Sequence, residues 1–330
     1  MKKFLKWFAS VILVLLLAYL AGPKPSKPTF TTPGFNLPAS LSELEKQISE
    51  SEKRIRGLKP DNEARIVWAD TSGKEKTGIA FLYLHGFSAS QGEGIPVHNN
   101  IAKRFNANLY LSRLEGHGVD LGDSTMADLT SDSYFASAEK ALQIAEKLGD
   151  TIIVIGTSAG GMLTLKLASM HPEIKAVILY SPCVQLYDKM APVLDNHWGK
   201  QIVGAVAGPV SVYPAESDRH AQYWTLRYNN QGLVALQNLI TSAMKPEVFA
   251  QIKCPVLLAY YYKNDEEQDK TVSVPAMLKM FNELGTPANL KMKIAFPEAG
   301  AHVIASDIRS KDWQGVERET EKFLSGIVGL

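Results

Sequence analysis

Only two of the 330 residues are cysteine, Cys183 and Cys254, so neither a disulfide framework nor a cysteine-rich zinc site holds this chain together. Charge of one sign is missing too: 35 Lys and Arg face 34 Asp and Glu, a formal net charge of +1. Such a balance creates no long-range field for DNA or RNA, which argues against a nucleic-acid partner. No two histidines stand at metal-ligand spacing, and no glycine-rich phosphate loop ends in lysine. The chemistry is therefore expected to need neither metal nor cofactor. Apolar material is not lacking. Hydrophobic residues make up 45% and charged ones 21%, which suits a chain that buries a core.

The two ends of the chain differ. Lys2, Lys3 and Lys6 precede a run from Trp7 to Ala21 that is apolar except for Ser10. A basic start before an apolar middle fits a signal peptide or an uncleaved anchor. Tyr19-Leu20-Ala21 followed by Pro23 suits signal peptidase poorly, so residues 1–22 are read as an anchor, with the lysines cytoplasmic and the remainder exported. If the segment is cut, the protein is secreted. Gly22–Pro38 holds five prolines and two glycines, the composition of a stiff spacer. Ser40 with Glu43 then reads as a capping box, and Leu41, Leu44, Ile48 and Ile55 form the apolar stripe of a surface helix that closes the segment 23–60.

From residue 61 onward the hydrophobic periods alternate. Ala64–Asp70 and Gly78–Leu84 read as strands that the turn Thr71-Ser72-Gly73 would join as a hairpin. Helices are expected near Val97–Phe105, Ser133–Leu148, Gly160–Met170, Pro275–Leu284 and Trp313–Ile327. Strands are expected at Asn108–Ser112, Thr151–Ile155, Ala176–Tyr180, Pro255–Tyr262 and Leu290–Phe296. This order predicts an α/β fold with a mostly parallel central sheet and helices on both faces. The stretch from about 184 to 250 breaks the rhythm. It leaves after one strand and returns before the next, and it is rich in aromatics, so it is read as an inserted cap. Trp198 and Trp224 within it are expected to govern substrate chain length. Cys183 should lie at the carboxyl end of one parallel strand and Cys254 at the amino end of another, too far apart to pair.

Gly156-Thr157-Ser158-Ala159-Gly160 lies between an expected strand and an expected helix. There a G-x-S-x-G run forms a sharp elbow that projects the serine hydroxyl from the carboxyl edge of the sheet. The amide of Ala159, at the helix start, points towards a developing oxyanion. Tyr83-Leu84-His85-Gly86-Phe87 ends an earlier strand, and Gly86 allows the bend that turns the amide of Phe87 to the same place. Glu298-Ala299-Gly300-Ala301-His302 follows a later strand, and an acidic loop from Asp265 to Asp269 precedes it. The chain order is thus serine, acid, histidine. Either Asp265 or Asp269 can serve as the acid. Asp269 is preferred because Val272 would pack down behind it and Ser273 would cap the next helix, whereas Asp265 adjoins Glu266 and Glu267 in a solvated turn.

His85-Gly86-Phe87, the loop Arg113-Leu114-Glu115-Gly116-His117-Gly118, Gly156–Gly160 and Gly300–His302 together resemble the α/β-hydrolases of the serine carboxylesterase and monoacylglycerol-lipase type. The resemblance covers about residue 64 to the end. It implies Ser158 as nucleophile, His302 as general base, and the backbone amides of Phe87 and Ala159 as oxyanion donors. It also implies a carboxylic ester substrate with an apolar part and no cofactor. The same triad serves thioesterases, peptidases, acyltransferases and perhydrolases, and a catalytically silent binding domain on the membrane is the alternative from another class. His85 is expected to buttress backbone and His117 to bond locally. His98, His171, His197 and His220 carry no motif and are read as surface or structural.

Overall fold

The computed structural model describes all 330 residues. It begins with α1 (Lys2–Leu20), none of whose residues is buried and which is long and apolar enough to cross a membrane by length and composition. Residues 23–38 form neither helix nor strand. They lie against α4 (Ser131–Leu148): the Thr29 amide donates to Asp132 at 2.7 Å, Gln143 donates to the Pro33 carbonyl at 2.9 Å, and Phe30 meets Phe135 edge-on at 5.1 Å. The next helix, α2 (Leu41–Lys53), buries Leu44 and Ile48. Ser40 accepts the Glu43 amide, so one arm of the expected capping box is present. Glu52 is buried as well. Its carboxylate receives Arg113 Nε at 2.6 Å, Arg113 Nη2 at 3.1 Å and the Ala64 amide at 3.0 Å. A charge removed from water needs such partners, and this one joins α2 to the loop that follows the third strand.

Seven strands form the main sheet. They are β1 (Arg65–Val67), β2 (Thr77–Leu84), β3 (Asn108–Leu111), β4 (Gly149–Thr157), β5 (Ala176–Tyr180), β8 (Val256–Tyr260) and β9 (Lys291–Ala295), in the order β1-β3-β2-β4-β5-β8-β9. All neighbours are parallel except β1, which runs antiparallel to β3. The expected hairpin of the first two strands does not form. Asp70 does build a local turn by accepting the Ser72 amide at 2.9 Å. Pairing is decided elsewhere, because Ala80–Leu84 of β2 are fully buried and both edges of β2 are taken by β3 and β4. A turn signal reports where the chain bends, whereas burial of the strand decides which neighbours it acquires.

Alternation along the strands feeds two cores. Ala80, Leu82 and Leu84 of β2, with Ile152 and Val154 of β4, face one layer, while Phe81, Tyr83, Ile153 and Ile155 face the other. The first layer is covered by α4, α5 (Ala159–Met170) and α10 (Val274–Glu283), the second by α3 (Val97–Arg104) and α11 (Trp313–Phe323). Between β5 and β8 come α6 (Gly199–Ala207), β6 (Val210–Val212), α7 (Asp218–Tyr223), β7 (Arg227–Asn229), α8 (Gln231–Ala243) and α9 (Pro246–Phe249). β6 and β7 make a separate two-stranded ribbon. Within this stretch α8 differs from the rest: Ala235, Leu236, Leu239 and Ile240 join the first core, whereas Ile202 and Val206 of α6 are exposed. Cys183 follows β5, Cys254 precedes β8, and both thiols are free. With Val177 opposite Val256 on these neighbouring strands, the two cysteines lie beyond opposite ends of the sheet.

Candidate active site

The elbow is built by the sequence around β4. Its strand ends at Thr157, α5 begins at Ala159, and Ser158 between them adopts φ 54° and ψ −115°. A non-glycine residue in that region carries about 1–3 kcal/mol of strain, tolerated only where surrounding structure enforces it. Here the Ser158 amide donates to the Tyr180 carbonyl at 2.9 Å, and its carbonyl accepts the Cys183 amide at 2.8 Å. Gly160 makes the turn possible, since a Cβ there would stand 1.9 Å from the Leu84 carbonyl oxygen. Helix and strand can approach that closely only over a bare backbone.

Ala159 is the first residue of α5, where the amide has no carbonyl partner one turn back. The Phe87 amide likewise makes no hydrogen bond within the chain. The loop that carries it is braced from below. His85 is fully buried, donates from Nδ1 to the Gly86 carbonyl at 2.9 Å and accepts the Leu114 amide at Nε2 at 3.1 Å. Burial holds this ring well below the usual histidine range, so it stays neutral and its two nitrogens keep opposite roles. His117 stacks on Tyr134 at 5.0 Å and meets Phe87 edge-on at 5.5 Å. Burial drives its pKa down to about 4.

Of the two candidate acids, the structure brings Asp269 to His302 and leaves Asp265 in solvent. Asp269 is 1% exposed. Its Oδ1 accepts the amides of Thr271 at 2.8 Å and Val272 at 3.1 Å, and its Oδ2 receives His302 Nδ1 at 2.5 Å. Val272 is fully buried, and Ser273 caps α10 by accepting the Ala276 amide at 3.3 Å. Asp265 instead accepts the exposed Tyr262 hydroxyl at 2.9 Å. For His302, burial works against the charged ring, but the charge and hydrogen bond of Asp269 outweigh it, with help from Glu93, and the proton affinity is raised. His302 Nε2 makes no hydrogen bond within the chain.

Ser158 and His302 line one cavity of about 570 Å³, inside the usual size range of small-molecule sites. Phe87, Leu186, Leu226, Tyr228, Leu233 and Leu236 give it an apolar wall, and Glu93, Glu216, His220 and Arg309 a polar one. Trp224 is part of the lining. Trp198 is not: it is 39% exposed and its indole donates to the Ala18 carbonyl of α1 at 3.0 Å. The expectation that Trp198 faces substrate is corrected here, since its aromatic character serves a contact with the first helix. His220 fits the structural half of its reading, being buried, accepting the Glu216 amide at Nδ1 at 3.2 Å and packing on Trp224 at 5.0 Å, and it also reaches the cavity wall. Glu93, Glu216 and Arg309 were not singled out by sequence. Glu93 carries a faint signal, an acid within Gln91-Gly92-Glu93-Gly94 shortly after the Phe87 loop, whereas Glu216 and Arg309 meet only through folding, at 2.7 Å.

A strained serine at a strand-to-helix elbow over a parallel sheet places the molecule in a known class. The model of the alpha/beta hydrolase family matches residues 81–307, and the chain belongs to that family. Among curated relatives, it is 32% identical over 112 residues to the thermostable monoacylglycerol lipase of Bacillus sp. strain H-257; the match covers 34% of this chain and 44% of that one. Solved structures share the fold. One of the metagenome-derived lipolytic enzymes LipS and LipT superposes with a TM-score of 0.64 at 19% identity, over 81% of this chain and 98% of that one. The Paleococcus ferrophilus monoacylglycerol lipase gives 0.55 at 16% identity, over 79% and 98%. Est1E from Butyrivibrio proteoclasticus with bound ferulic acid gives 0.55 at 15% identity, over 81% and 95%.

Proposed function

We propose that the protein is a serine hydrolase that cleaves carboxylic esters with an apolar acyl or alcohol part through an acyl-enzyme. The observation that carries this reading is that the elbow serine and His302, the latter tied to Asp269, share one half-apolar cavity. Ser158 Oγ attacks the ester carbonyl while His302 Nε2 takes its proton, and Asp269 keeps the ring's other proton on Nδ1. The carbonyl oxygen becomes an oxyanion facing the free amides of Phe87 and Ala159, each contributing roughly 3 kcal/mol to the transition state. His302 then gives its proton to the leaving alkoxide. A water molecule, deprotonated in turn by His302, releases the acid. The lipase and esterase names among the relatives favour esters over thioesters or amides.

Fluorophosphonate labelling and turnover of acyl esters test the reading. Ser158 should be labelled, and Ser158→Ala should lose roughly 10⁶ in kcat, as nucleophile knockouts in serine triads do. A Ser158→Ala variant that keeps a tenth of native turnover would sink the nucleophile assignment, and a folded native protein that neither labels nor turns over esters would point to a silent binding domain. We also propose that α1 ties the enzyme to a membrane with the catalytic domain exported, on the strength of its length, exposure and basic start. Mass spectrometry of the exported chain checks this: a mature terminus beyond Ala21 would make the protein a secreted one.

A further inference from the structure

The polar wall of the cavity contains a carboxyl that the ester-cleaving reading does not use. Glu93 lies on the 3-10 turn Gln91–Gly94 and is 2% exposed. Its Oε2 accepts the Gly86 amide at 2.5 Å, and the Tyr83 hydroxyl lies 3.4 Å from the same oxygen. Oε1 has no hydrogen-bond partner in the chain. The carboxyl and the nucleophile flank one small space, for a Cβ on Gly86 would stand 2.7 Å from Glu93 Oε1 and 3.2 Å from Ser158 Cβ. Gly86 is the residue before Phe87, whose amide receives the oxyanion in the proposed reaction. Glu93 therefore holds the oxyanion loop by its backbone, from a position where a negative charge would oppose the oxyanion.

We propose that Glu93 is a positioning residue for the oxyanion loop and that ester cleavage proceeds with its carboxyl neutral and His302 unprotonated. This rests on the serine-hydrolase reading of the same site. A neutral carboxyl still accepts the Gly86 amide and so keeps the loop in place, while adding no charge beside the oxyanion. An ionised one retains the bond but sets a negative charge against the one that develops on the carbonyl oxygen, and it favours a proton on the base.

The surroundings leave that choice open near neutral pH. Burial pushes the Glu93 pKa up to about 7, against the pull of the Gly86 amide, His302, the Tyr83 hydroxyl and Arg309. Of the groups packed around it, Tyr83 from β2 and Tyr134 from α4 stay neutral because burial raises both well above the usual tyrosine range. His98 from α3 is neutral because burial brings it to about 4. Arg309 is already paired with Glu216. His302 is thus the group with which Glu93 shares a proton, and the two titrate as a pair. The state with one proton between them is divided between an ion pair, which is unproductive, and the neutral pair, which reacts.

Glu93→Gln separates this from a purely structural role, because the amide oxygen can still accept the Gly86 amide but cannot ionise. For a short acyl ester, native kcat/KM should fall on the alkaline side as Glu93 ionises. The ratio of Glu93→Gln to native kcat/KM should then rise about tenfold or more from pH 6 to pH 9. The acid limb of the variant should lie at or above the native one, since the fully protonated native site already carries a neutral Glu93 and has two groups from which its first proton can leave. Glu93→Ala should lose the loop's hold and fall in kcat at every pH, with Gln restoring what Ala removes; circular dichroism confirms that both variants are folded. A ratio that stays flat with pH, or a Gln variant as impaired as Ala throughout, overturns the inference. Fluorophosphonate labelling of native Ser158 distinguishes the failures: labelled serine with a flat ratio sinks the role of Glu93 alone, and unlabelled serine sinks the hydrolase reading and this inference together.

Discussion

Replacing Asp269 by Asn changes few atoms and gives a large expected effect. In the native site, Oδ1 accepts the Thr271 and Val272 amides while Oδ2 faces His302 Nδ1. The two backbone donors fix which way an Asn amide must sit, because its oxygen has to replace Oδ1. Its NH₂ group then points at His302 Nδ1. That nitrogen must become an acceptor, so the ring proton moves to Nε2, and a protonated Nε2 cannot take the proton of Ser158. A serine triad in this wrong tautomer loses about 10⁴ in kcat, which corresponds to about 5.5 kcal/mol of transition-state stabilisation. The fold should survive, since the loop keeps both amide bonds. Stability should also lose part of its pH dependence. The native ring binds its proton more tightly folded than unfolded, so the ion pair stabilises the fold below the ordinary histidine pKa of about 6.5 and fades as pH rises through the raised value. In the Asn variant that contribution is absent. Asp265→Asn is the control. It removes one solvated charge while Asn Oδ1 can still accept the Tyr262 hydroxyl, and it should change stability by less than about 0.5 kcal/mol and turnover by less than twofold. Turnover of an acyl ester and urea unfolding at pH 5.5 and 9 give both readouts. A crippled Asp265→Asn beside a near-normal Asp269→Asn would refute the reasoning.

Two further outcomes follow from packing. Trp224 lines the cavity and Trp198 does not, so Trp224→Ala should change the relative kcat/KM for short and long acyl esters by about tenfold, while Trp198→Ala leaves the ratio within twofold; the reverse pattern in a chain-length series would contradict the placement. Gly160→Ala would raise helix propensity by about 1 kcal/mol on an open helix, but here its Cβ would press on the Leu84 carbonyl, and a net loss of roughly 1–3 kcal/mol in urea unfolding is expected. A variant as stable as the native protein would show that the elbow has room to relax.

The parts of the molecule legible in its sequence are those in which local pattern and burial agree. Fully apolar β-branched runs such as Ile152–Ile155 read as strands covered on both faces, which they are, and the elbow glycines mark a turn that no Cβ would fit. The preference for Asp269 over Asp265 rested on Val272 and Ser273, and the structure puts these two residues in the packing and capping positions expected of them. Pairing of the first strands was not legible, because a turn motif carries no information about which edge of a sheet is vacant. The polar wall of the cavity was not legible either. Glu93, His220 and Arg309 come from three segments far apart in the chain, and their shared position is set by the sheet order.

The contact between the proline-rich segment and α4 has a mechanical consequence. A flexible chain running from Ala21 to Ser40 would act as a leash, letting the domain wander about 25 Å from the end of α1. Here the segment is pinned at Thr29, Phe30, Pro33 and Phe35, and its first residues are held by the cap as well. The Trp198 amide donates to the Pro23 carbonyl at 2.8 Å, and His197 donates to the Gly22 carbonyl at 2.8 Å. With both stretches fastened, the slack is gone and the leash becomes a bracket. In the proposed membrane-tethered enzyme the cavity mouth would hold one heading relative to α1, a fixed port rather than a swivelling one.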